Sequence, residues 1–193
     1  DGYFLAGLPW FCEYWFRDEL ISLWLLRDIH NKNPIFSEIK DKMLNHYLDN
    51  FDNFALSNKP CGDNSADIFL WIMLLLNKWQ FEKNEEKIKA VFKRWLDTYF
   101  RDGKIILPEK STWMDTIARQ KALEIDFLFT KAIKKLKLDG LLDVYVKKLK
   151  TNLITEFYPK DELEKPNIFL AYLFEPEIVS PKKWERLFDN IIS

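Results

Sequence analysis

The sequence predicts an all-α fold built from helical hairpins. Apolar residues recur at helical spacing along nearly the whole chain. Glycine is scarce, at 5 of 193 residues, which disfavours a turn-rich β fold. Helical patterns that are apolar all round alternate with patterns that carry a polar face, in a repeat of about 50 residues. At this length one domain covering residues 1–193 is expected, with enough chain to bury a sizeable core.

In chain order, Glu19 to His30 reads as a strongly apolar helix carrying Leu20, Leu23, Trp24 and Leu26, and Asn33-Pro34 breaks it. Ile35 to Phe54 reads as a longer amphipathic helix with Ile39, Met43, Tyr47 and Phe51 toward the core. Ser57 to Asn64, with Pro60 and Gly62, is a predicted loop, and Asn64-Ser65 supplies capping side chains. Ala66 to Trp79 is apolar on nearly every side, while Glu85 to Phe100 is amphipathic. Asp102-Gly103 stops that helix, and an extended piece from Lys104 to Leu107 leads to Pro108. Then follow a helix from Ala118 to Leu136, a turn at Asp139-Gly140, and a helix from Leu141 to Phe157. Pro159 and Pro166 bracket a loop, Asn167 to Phe174 is a short apolar helix, and Pro181 to Ile192 an amphipathic one.

The first helix of each pair should be buried and the second should lie outside. That alternation is what an α/α toroid requires, an inner ring of helices wrapped by an outer ring. Roughly four hairpins are expected here. The same periodicity also builds solenoids that bind proteins. The charged pair Arg17-Asp18, just before a nearly all-apolar helix, favours the toroid with a ligand site.

Composition narrows the partners. Lys plus Arg is 29 and Asp plus Glu is 30, so nothing points to nucleic acid or to an anionic membrane. The run Phe69 to Leu76 is too short to span a bilayer, no leader pattern is visible, and a cytoplasmic location is expected. The chain opens on Asp1, which suggests a processed product or an excised piece. Cys12 and Cys61 read as reduced thiols, and with His30 and His46 they offer little on which to build a zinc site. The lysines from Lys131 to Lys137, continued at Lys147, Lys148 and Lys150, read as solvated surface. Eight tryptophans could stack on sugar faces, although packed helices also consume aromatics.

The loops entering the apolar helices should share one end of the molecule. They carry Trp15-Phe16-Arg17-Asp18, Gly62 to Asp67, Trp113-Met114-Asp115 and Lys165-Pro166-Asn167. A carboxylate beside a tryptophan suits a general acid acting on a sugar, because the indole is a flat, dry neighbour that raises a carboxyl pKa. A buried Trp with a capping Asp is the bland alternative for that stretch.

Four segments in this order carry a resemblance: Ala6 to Phe11 followed by Trp15-Phe16-Arg17-Asp18; Asn64 to Asp67 with Leu70-Trp71; Thr112-Trp113-Met114-Asp115; and Arg119 to Ile125. Together they resemble the glucosidase domain of glycogen debranching enzymes, a relative of glucoamylase with an (α/α)6 barrel. The resemblance spans about residues 6 to 130. It implies a glycoside hydrolase that cleaves terminal α-glucosidic bonds of glycogen or maltooligosaccharide with inversion, and without metal or organic cofactor. It implies Asp115 as general acid, Arg17 and Asp18 holding the terminal glucose by its outer hydroxyls, and Trp113 shaping the pocket. Trp10 and Trp15 join that substrate-binding set. Glu124 either lines the pocket or bonds to Arg119, and Asp67 is either pocket wall or helix cap.

The sequence departs from the family at several points. Phe16 stands where the family usually has Gly, and Glu19 where it usually has Thr. The segment between Asp115 and Arg119 is shorter than the family pattern. The family's catalytic base lies far beyond the Asp115 motif, and this chain runs only about 80 residues past it. The base and the closing hairpins are therefore expected outside this sequence, possible self-association could complete the ring, and the isolated chain should turn over slowly or not at all. The rival expectation is a non-catalytic helical-hairpin scaffold that binds glycan or protein. A third is a sugar enzyme of trehalase-like or invertase-like specificity on the same barrel.

Overall fold

A computed structural model describes residues 15–55, 65–108, 111–112, 122–154 and 167–192, and among these the protein is all-α apart from one two-residue hairpin. Helix α1 spans Phe16–Leu25 and α2 Arg27–His30. The long pattern expected from Glu19 to His30 is thus interrupted at Leu26, whose backbone leaves helical geometry (φ −87°, ψ 8°). Helix α3 spans Pro34–Asp49 and α4 Phe51–Phe54, so the break falls at Asn50 rather than at the end of one continuous helix. Pro34 is preorganised for a first helical turn, and the Asn33 side chain accepts from the Ile35 amide at 3.0 Å.

The next apolar stretch is also divided. Helix α5 is Ile68–Leu75, and Leu76 is extended (φ −56°, ψ 133°). Asn77 then starts α6 (Lys78–Lys83) with a reciprocal cap: its side chain accepts from the Gln80 amide at 2.8 Å and its own amide donates to Gln80 Oε1 at 3.1 Å. Helix α7 is Glu85–Tyr99. Strands β1 (Phe100–Arg101) and β2 (Lys104–Ile105) pair antiparallel, with Phe100 opposite Ile105 and Arg101 opposite Lys104. Asp102 (φ 51°) and Gly103 (φ 69°) both adopt left-handed geometry, as a two-residue hairpin turn demands.

Helix α8 is Leu123–Lys135 and α9 Asp139–Ile154. The turn expected at Asp139-Gly140 is instead made at Lys137 (φ 57°), and both of those residues are helical. Helix α10 (Asn167–Phe174) and α11 (Pro181–Ile192) keep the bounds read from the sequence, joined through a short 3-10 turn at Pro176–Ile178. The expected loops at 57–64 and 159–166, and both cysteines, lie outside the described residues.

Packing follows the alternation of patterns. Helices α1, α5, α8 and α10 contact one another in chain order. They run the same way. Arg17 near the start of α1 meets Asp67 at the entry to α5, and Trp24 further along meets Trp71 with ring centroids 5.9 Å apart. Lys135, ending α8, donates to the Met73 and Leu76 carbonyls at the end of α5, both at 2.6 Å. Lys131 reaches Glu175, just past α10, at 2.7 Å. At this far end Trp24 also packs on Phe174 of α10, centroids 5.1 Å apart.

The second helices lie against this group. Phe129 of α8 sits among Phe92, Trp95, Phe100 and Tyr145 at centroid distances of 6.1, 5.2, 5.3 and 4.8 Å, which joins α7, β1 and α9 to one core. From Ile68 to Met73 every residue of α5 is essentially sealed from solvent. Each such side chain contributes about 1.5–3 kcal/mol by burial, which offsets the scarcity of local capping there. Burial of the first helices is not uniform, because Leu25 of α1 and Leu173 of α10 stay exposed. Among the described residues the tryptophans serve mainly as core: Trp24, Trp71, Trp95 and Trp184 are buried, whereas Trp79 is exposed. The lysine-rich stretch is only partly solvated surface. Lys134 and Lys137 are exposed, but Lys131 and Lys135 hold helix α8 to its neighbours.

Candidate functional site at the helix entries

Because α1, α5, α8 and α10 are parallel, their first turns gather at one end. Trp15 precedes α1 in extended geometry and is half-buried. Arg17, one residue into the helix, turns inward, and its guanidinium closes a ring of hydrogen bonds across to α5. Arg17 Nε donates to Asp67 Oδ2 at 2.7 Å, Arg17 Nη2 donates to Ser65 Oγ at 2.8 Å, and Ser65 Oγ donates to Asp67 Oδ1 at 2.7 Å. The Arg17 and Asp67 side chains are 5% and 0% exposed. An ion pair this deep needs further hydrogen bonds to offset its desolvation, and Ser65 supplies two of them.

The geometry bears on the capping reading of Asp67. It stands at the N-cap position of α5, yet its side chain makes no capping bond. Both carboxylate oxygens are used by Arg17 and Ser65, so capping is not its role, nor that of Ser65. Asp67 also faces the α7 tyrosine Tyr99. Burial first, and the Asp67 charge second, push the Tyr99 hydroxyl up to about 12.

Between Ser65 and Asp67, the Ala66 backbone fastens two other elements. Its carbonyl accepts from Trp95 Nε1 at 2.8 Å, and its amide donates to the Ser111 carbonyl at 2.8 Å. Ser111 Oγ bonds the Pro108 carbonyl at 2.7 Å, and Ser111 and Thr112 are both buried. The segment that leads into Trp113 and Asp115 is therefore docked on the α5 entry, beside the Arg17 network. Trp10, Trp113 and Asp115 themselves lie outside the described residues. Glu124, in the first turn of α8, and Asn167, which opens α10, are fully buried at the same helix ends.

Asp18 is placed differently. One residue on from Arg17 it sits about 100° further round the helix, and it is exposed. Arg17 is buried and Asp18 exposed, so the two differ in their access to solvent.

Sequence reasoning named Glu19 only as a departure from a family pattern. In the structure it is 3% exposed and accepts a hydrogen bond from Tyr47 Oη of α3 at 2.6 Å. Burial, opposed by that hydrogen bond and reinforced by the Asp18 charge, raises its carboxyl to about 7. A signal was present, since Glu19 shares the helical face of Phe16, Leu20 and Leu23.

Among the described residues no three His, Cys, Asp or Glu side chains are grouped to hold a metal ion, and no helix is long and apolar enough to cross a membrane. The fold and site define an all-α protein of paired helices with a buried, charge-compensated polar cluster where its parallel helices begin. No known family, curated protein or solved structure matches the chain.

Proposed function

We propose that this chain is the glucose-binding part of a glycoside hydrolase-like domain, of the α/α-toroid kind represented by debranching glucosidases and glucoamylase. The observation that supports it best is the meeting of Arg17, Ser65-Asp67 and Ser111-Thr112, remote in sequence, at the shared entry end of parallel helices. In this reading Arg17 donates to hydroxyls of a terminal glucose of an α-glucan. Trp15, Trp10 and Trp113 contribute flat apolar walls, and Glu124 belongs to the polar floor.

Inverting hydrolysis needs one carboxylic acid to protonate the leaving oxygen. A second carboxylate, about 6.5–9.5 Å away across the sugar, activates water. In this reading Asp115 takes the acid role. The reaction itself calls for no metal or organic cofactor. Titrating the chain with maltoheptaose tests the binding half. Saturable binding that disappears in Arg17→Ala supports the reading, and no binding refutes it. The catalytic half is tested by glucose release, which Asp115→Asn should suppress by a factor of about 100 or more. Release near the wild-type rate would remove Asp115 from the acid role.

One observation favours a second reading, a scaffold that binds glycan or protein without cleaving it. Leu25, Ile35 and Trp79, in or beside the connections between paired helices, are 59%, 68% and 60% exposed. Where such residues form one contiguous patch, they mark protein interaction sites. Tight self-association in sedimentation, with no oligosaccharide binding, would select this reading.

A further inference from the structure

We infer that Ser65 and Asp67 are positioning residues that preset the Arg17 guanidinium, so that the sugar meets a rigid, charge-neutral donor. This rests on the reading of Arg17 as the glucose-holding group. The geometry is specific. Asp67 takes the Nε edge and Ser65 takes an Nη2 hydrogen, and Ser65 is itself fixed by donating to the other Asp67 oxygen. Two contacts from one rigid corner define the plane of a guanidinium, which a single ion pair does not. The corner is stiff because Ala66, between the two residues, is tied through its carbonyl to Trp95 and through its amide to Ser111.

Two consequences follow. A long arginine side chain carries about 2 kcal/mol of rotamer entropy, and the clamp removes that freedom before any ligand arrives. The Asp67 carboxylate also cancels the Arg17 charge where almost no solvent can screen it. A bare buried guanidinium would favour phosphate or carboxylate. Compensated by Asp67, it favours neutral hydroxyls, and an anionic ligand would meet the Asp67 charge.

The test uses the full chain as wild type, Asp67→Asn, Ser65→Ala and Arg17→Lys. Two readouts are taken: exchange of the Arg17 Nε hydrogen by nitrogen-15 NMR, and titration with maltotriose and with glucose 6-phosphate. In wild type the Arg17 Nε hydrogen should exchange at least about 100-fold more slowly than that of the exposed Arg101, as a buried charge-assisted bond requires. Ser65→Ala should keep that protection but weaken maltotriose about 10-fold, while Asp67→Asn should abolish the protection and shift preference toward the phosphorylated sugar. Arg17→Lys should bind as weakly as Asp67→Asn, because an ammonium cannot use both contacts.

Should Asp67→Asn fail to fold, Ser65→Ala and the wild-type exchange rate still decide. Exchange as fast as that of Arg101 overturns the clamp whatever the sugar does. Wild-type maltotriose binding that Ser65→Ala and Asp67→Asn leave unchanged overturns positioning while the sugar reading stands. Slow exchange with no maltotriose binding to wild type overturns the sugar reading, and the positioning role with it.

Discussion

Replacing Glu19 by glutamine should stabilise the protein at neutral and alkaline pH and change little in acid. Glu19 is sealed between α1 and α3, accepts from Tyr47 Oη at 2.6 Å, and has its carboxyl raised from 4.5 to about 7 by burial. An acid whose folded-state pKa lies above its unfolded value keeps its proton longer in the folded state. Its presence is harmless below about pH 4.5, stability falls as pH rises from there to about 7, and the deficit is complete above that. At 1.36 kcal/mol per unit the deficit is on the order of 3 kcal/mol.

Glutamine keeps the shape and the acceptor for Tyr47 but never ionises. Urea unfolding of both proteins at a series of pH values gives the difference directly, with contributions from the other titrating groups cancelling. With a slope of about 2 kcal/mol per molar urea, the midpoint of Glu19→Gln should exceed wild type by about 1–1.5 M above pH 8 and match it near pH 4.5. A difference that stays constant with pH, or that grows toward acid, would refute the argument.

Phe129→Ala removes the ring shared by Phe92, Trp95, Phe100 and Tyr145 and should cost about 3–5 kcal/mol in urea unfolding. Trp95→Phe deletes the donor to the buried Ala66 carbonyl; a loss of about 1–3 kcal/mol is expected, together with faster proteolysis near Ser111, the other residue fastened to Ala66. Asn77→Ala breaks the reciprocal cap of α6 and should lower the melting temperature by about 2–4 °C, the effect of about 1 kcal/mol in a chain of this size.

Much of the helical layout was legible in the sequence because its causes are local. Periodicity and proline placement marked α10 and α11 to their observed bounds, and Asn33-Pro34 marked the start of α3. Local signals failed where two of them competed. Asp139-Gly140 looks like a turn, yet the chain bends at Lys137, and Gly140 joins α9. The apolar run from Ala66 to Trp79 has an unbroken helical pattern, but the paired capping of Asn77 and Gln80 starts a new helix inside it.

The candidate site divides along the same line. Residue types at the helix entries are written in the chain, so Arg17, Asp67 and Glu124 could be singled out from sequence. Which of them touch depends on how α1 and α5 pack, a choice made by burial of side chains far apart along the polypeptide. Only the tertiary structure could turn Arg17 onto Ser65 and Asp67, keep its neighbour Asp18 at the surface, and enclose Glu19 against Tyr47. The physical reason is that helix periodicity sets the spacing of the faces, while the partner that covers each face sets the charge, hydration and hydrogen bonding of what it carries.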